Sequence, residues 1–118
     1  MDNIKNNNQI VKADLEQWLK ELVKKSEEYT EKVKRTEQEI MTLRVRNHML
    51  EFTTKTMERN ENVKADYLQS EKEKNDQLIK STEQELNNLL DVEWKKDNQI
   101  RKLIENVEQE IKKIEASE

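Results

Sequence analysis

The chain has no glycine, no proline and no cysteine among its 118 residues, only one histidine, and five aromatic residues: Trp18, Tyr29, Phe52, Tyr67 and Trp94. Each absence removes something. Gly and Pro supply the φ values that turns require, so a chain lacking both has few inexpensive ways to reverse direction, and long helices are the expected result. Without Gly, neither a phosphate-cradling loop nor an EF-hand loop can be built. With no Cys, and with His48 as the sole imidazole, no ordinary zinc site can be assembled. The lack of Cys also fits a reducing compartment. Catalysis needs a nucleophile, a base or a metal converging on a concave site. The carboxylates here are numerous but spread along the chain, so no catalytic residue, cofactor or metal is expected.

Long apolar runs are missing as well. Nothing approaches the roughly 18 residues that would span a bilayer, so direct membrane insertion is not expected. The opening MDNIKNNNQ lacks the basic-then-apolar layout of a secretory signal, which makes the cytoplasm the expected location. Basic residues number 22 and acidic residues 26, giving a net charge of −4. The two signs alternate along the chain with no evident basic patch, so nucleic acid is not an expected partner. With 41% of residues charged and 32% hydrophobic, the chain is either disordered or a coiled coil, and periodicity decides between them.

Periodicity is there. Leu15, Leu22, Tyr29, Thr36, Leu43, Leu50 and Met57 recur at intervals of seven, and Leu19, Ser26, Val33, Ile40, Asn47 and Thr54 form a second such series. Alternating steps of four and three make these the d and a positions of a heptad seam. In a parallel in-register dimer, the flanking pairs Lys32 with Glu37, Glu39 with Arg44, and Arg46 with Glu51 would all be opposite in sign. Asn47 at a would then be satisfied by its own copy across the seam. Leu15, Leu22, Ile40, Leu43, Asn47 and Leu50 are accordingly expected to form an oligomer seam.

The second half follows another register, with Ile79, Leu86, Glu93, Ile100, Val107 and Ile114 in one series and Leu90, Asp97, Ile104 and Ile111 in the other. It is offset by one residue from the first. Its flanking pairs include the repulsive Lys96 with Arg101 and Glu110 with Glu115. Leu89, Trp94 and Leu103 add apolar bulk beside the seam, as in a helix packed against several neighbours. Between the halves, residues 58–77 are polar, and only Asn60 with Asn62, or Asn75 with Asp76, offer turn chemistry. The expected organisation is a flexible N-terminus over 1–9 leading into a capping box at Asn6 and Gln9, a heptad segment over 10–57, a polar register break over 58–77, and a second coiled-coil or bundle segment over 78–116.

The fold class is therefore all-α, made of one or more long coiled-coil helices with two heptad registers separated by a polar middle. It is either a continuous rod, on the order of 150 Å at 1.5 Å per residue, or a helical hairpin. In IMTLRVRNHMLEF, Met41, Val45, Met49 and Phe52 fall on the side away from the seam and form a stripe at helical spacing. Together with Leu89, Trp94 and Leu103 they are the expected partner-binding residues. The expected function is a non-enzymatic structural or assembly subunit of a larger intracellular complex, such as a cytoskeletal scaffold, whose partners are helical proteins or copies of itself. The competing expectation is a compact helical hairpin or three-helix adaptor that binds a protein client, with Trp18 and Trp94 as core anchors.

Overall fold

The computed structural model describes the backbone of residues 2–117 and the side chains of residues 6–117. It is all-α. Helix α1 (Asp2–Asn60) is followed by α2 (Asp66–Asn88), a π turn (Leu89–Glu93) and α3 (Trp94–Ala116), with no strand among the described residues. The expected helix start at Asn6 lies inside α1, whose backbone is already helical from Asp2. Of the expected flexible N-terminus over 1–9, Met1 and the side chains of residues 2–5 lie outside the described residues.

The heptad pattern of α1 sets what it covers. All thirteen positions of its two series, from Leu15 to Met57, are buried or half-buried, while the positions between them are mostly exposed. A strip two residues wide per heptad can be covered by one neighbouring helix. That neighbour is the later part of the same chain.

The reversal happens at residues 61–65 and depends on Asn62. The Glu61 N–H still donates to the Met57 carbonyl at 2.9 Å, closing the last turn of α1. Asn62 then adopts φ of 51°. A left-handed residue at this point is the usual way to end a helix; Gly takes it most readily, and Asn is the next choice because its short polar side chain tolerates the conformation. Ala65 is buried beneath the turn. The Gln69 N–H donates to its carbonyl at 3.0 Å, which starts α2. Asp66 in the first turn complements the helix dipole. The continuous rod is thereby replaced by a chain reversal, and the break occupies five residues of the 58–77 span. Asn75 and Asp76, the other turn candidates, lie within α2.

The chain divides into two compact units, the first formed by Met1–Glu31 with Asp91–Glu118 and the second by Lys32–Leu90. The second is a helical hairpin whose contacts run backwards along α2 as they advance along α1. Arg44 meets Glu83 at 2.6 Å, Asn47 meets Asp76 at 2.7 Å, and Glu58 meets Gln69 at 3.3 Å. Thr36 and Thr82 are buried in this unit, and each returns its hydroxyl to a carbonyl four residues back in its own helix, at 2.8 and 2.7 Å. A buried threonine that bonds its own helix needs no partner across the seam.

The first unit pairs the two chain ends, also antiparallel. Leu22, Val107 and Ile111 form its core, against which Leu15, Leu19, Ile100, Leu103 and Ile104 pack. Lys12 and Glu115 form an ion pair at 3.4 Å, and Arg101 reaches the Thr30 hydroxyl at 3.5 Å.

The π turn changes which leucine is inside. Leu89 is 2% exposed and Leu90 is 45% exposed, although the register extrapolated from the sequence put Leu90 in the seam and Leu89 on its flank. Leu89 lies seven residues after the buried Thr82, so α2 keeps its own register up to that point. The next buried position is Asp97, eight residues on. In a regular helix, eight residues overshoot two full turns by about 80°. The wider π turn takes up the surplus residue and brings Asp97 and Ile100 back onto the covered side. Glu93, expected in the seam, is exposed within this turn.

Two predictions follow from these local geometries. Leu89→Ala should cost about 2–5 kcal/mol in urea denaturation, whereas Leu90→Ala should stay within about 0.5 kcal/mol; equal costs would return the two leucines to a regular register. Asn62→Gly should raise stability by a few tenths of a kcal/mol, and Asn62→Val should lower it by about 1–2 kcal/mol; the same melts would show no difference if residue 62 were not left-handed.

Candidate partner interface

In the second unit the seam residues of α1 face α2, so the opposite side of α1 faces outward. There the expected stripe stands in water: Met41, Val45, Met49 and Phe52 are 67, 58, 55 and 62% exposed. The spacing of four, four and three residues keeps all four on one side of the helix. Two grooves border the stripe. One, of about 490 Å³, is lined by Ile40, Met41, Val45 and Leu86, with the Arg44 and Glu83 side chains alongside. The other, of about 450 Å³, is lined by Val45, Met49, Leu50, Tyr67 and Asn75. Val45 borders both and forms the ridge between them.

The remaining expected contact residues do not join this surface. Leu89 is internal for the reason given above. Leu103 is half-buried and packs on the core of the first unit. Trp94 is 52% exposed in that unit, and Trp18 is 41% exposed. Neither indole is a core anchor. Trp18 sits beside Leu19 on the edge of the seam, and a pair of helices has no third layer to cover a flanking side chain.

The expected oligomer seam is used within the chain. Leu22, Ile40 and Leu43 are buried, Leu15 and Leu50 are half-buried, and each faces the later helix of its own unit. Asn47 is buried, and its amide donates to a carboxylate oxygen of Asp76 at 2.7 Å in place of a second Asn47. The other Asp76 oxygen lies 3.7 Å from Lys72. Sequence periodicity could identify Asn47 as a seam residue, but pairing it with Asp76 required knowing where the chain reverses.

A second polar cluster lies in the first unit. Asp97 is buried, forms an ion pair with the Arg101 guanidinium four residues on at 2.8 Å, and has its other carboxylate oxygen without a hydrogen-bond partner. Tyr29 belongs to this neighbourhood. Desolvation, then the charges of Asp97 and Glu93, push its phenol above the ordinary value, with Arg101 opposing. Arg101, which also reaches the Thr30 hydroxyl at 3.5 Å, connects this cluster to α1. Among the described residues no group of His, Asp or Glu could hold a metal ion. His48 is exposed and lines the first groove.

No family model, no curated protein and no solved structure matches the chain.

Because the folded state raises the Tyr29 pKa, it favours the neutral phenol. That contribution is complete below the unfolded value of about 10 and is lost as pH rises through the folded value. In a Tyr67→Phe background, stability should therefore fall above about pH 10, and adding Tyr29→Phe should remove that part of the decline. Ultraviolet titration of the remaining phenol gives the independent check; an ordinary Tyr29 midpoint would separate it from the Asp97 cluster.

Proposed function

We propose that this chain is a non-enzymatic helical-hairpin interaction module, serving as a structural or assembly subunit of a larger protein complex. It engages a helical protein partner through the outer face of α1. One observation carries this reading: the seam is covered within the chain, yet four apolar side chains in register remain on the opposite side with a groove on each flank. Single exposed apolar residues are ordinary on protein surfaces, whereas an ordered stripe is the usual mark of a contact site. A third helix laid along it would complete a three-helix arrangement, with the stripe as a second seam.

The alternative, a parallel homodimer zipped through residues 10–57, draws on the complementary charges of Lys32 with Glu37, Glu39 with Arg44, and Arg46 with Glu51. It would have to open the hairpin first, because Arg44 and Asn47 already hold Glu83 and Asp76. No helix among the described residues is long and apolar enough to cross a membrane. The cytoplasm is the proposed setting, and cytoskeletal assembly is one use that such a module would suit.

The test replaces Met41, Val45, Met49 and Phe52 together with Ser or Gln. Helix content by circular dichroism should be unchanged and stability should shift by no more than about 0.5 kcal/mol per site, while association with the protein's partners in a pull-down should be lost. Retained association would return the stripe to chance exposure.

A further inference from the structure

The charges around the stripe specify the chemistry of its partner. On the outward positions of α1 between residues 34 and 59 there is no acidic residue, although the whole chain carries net charge −4. The exposed charges there are Lys34, Arg35, Lys55 and Arg59. Lys55 has Glu51 at 3.3 Å, and the other three have no ion-pair partner among the described residues. Their placement is nearly symmetrical, with Lys34 seven residues before Met41 and Arg59 seven residues after Phe52. The face is thus an apolar centre bounded by cations one heptad away at each end.

We infer that the segment docking on this face is an acidic amphipathic helix of a partner protein. This rests on the reading of the stripe as a contact site and adds the chemistry of what it contacts. The matching helix spans about 25 residues, or about 38 Å, with apolar residues over the central turns and Asp or Glu near both ends. Exposed ion pairs add little affinity each, but they select among partners and steer association. The ridge at Val45 with a groove on either side has the relief that helix ridges fit. An anionic bilayer is a poorer match. A broad flat surface would also meet Glu39, Glu51 and Glu58, which are exposed on the rows beside the stripe, whereas a single helix meets Glu37 and Glu83 together with Arg44 in the first groove, Glu71 together with Arg46 in the second, and Lys34, Arg35 and Arg59 at the ends of the strip.

The experiment uses the full chain and three probes: a synthetic amphipathic helix with Leu at the central positions and Glu at both ends, the same peptide with Lys in place of Glu, and phosphatidylserine-containing vesicles. At low salt the acidic peptide should bind about tenfold more tightly than the basic one. High salt should erase the preference, and the triple variant Lys34→Glu, Arg35→Glu, Arg59→Glu should reverse it. Circular dichroism of that variant confirms that it folds. If both peptides bind equally and the polar stripe variant binds neither, the contact site stands and its acidic preference is overturned. If neither peptide binds, both readings fall, and vesicle binding in that case would assign the face to a membrane surface.

Discussion

A seam only two side chains wide per heptad governs this structure. The chain holds too little apolar material for a globular core, so it concentrates what it has at positions recurring every three or four residues and covers that strip with its own later helix. Because the seam is narrow, any apolar residue outside it stays in water unless something else covers it. The exposure of Trp18, Trp94 and the stripe from Met41 to Phe52 follows from that geometry.

Polar residues within the seam fix how the helices align. A purely aliphatic strip slides readily, since one heptad offset resembles the next. Asn47 bonded to Asp76 makes wrong offsets costly, because a slipped register would leave the Asn47 amide buried without that partner. Its own contribution to stability is small or negative after desolvation, and its benefit is a defined alignment. Thr36, Thr82 and Asp97 differ, as each finds its partner four residues away in its own helix and so constrains no offset. Alignment therefore rests on few groups.

Much of this was legible in residue spacing. The α1 seam follows from period alone, and Asn62 was one of few residues able to end a helix in a chain without Gly. What escaped the sequence depended on contacts between distant segments. The one-residue offset between the two halves carried no structural meaning across a reversal, because α2 begins its own register after Ala65. The offset with a physical consequence lies inside the later helix, where the π turn exchanges Leu90 for Leu89, and five residues of ordinary helix-forming composition give no local signal for it. The charge pairs that suit a parallel dimer were correctly identified as complementary, but complementarity does not name a partner. Arg44 finds Glu83 instead, because the reversal brings Glu83 within reach.

The linear sequence also concealed how charge is sorted in space. Acidic and basic residues alternate along α1, which argues against a basic patch when read in order. Winding that order at 3.6 residues per turn separates what the sequence interleaves. Glutamates fall on the rows beside the seam, and Lys34, Arg35, Lys55 and Arg59 fall on the outward side around an apolar centre. A net charge of −4 describes the average over the molecule and not the local field along this face. The seam and the cationic face arise from the same periodicity, so covering the one within the chain leaves the other facing outward.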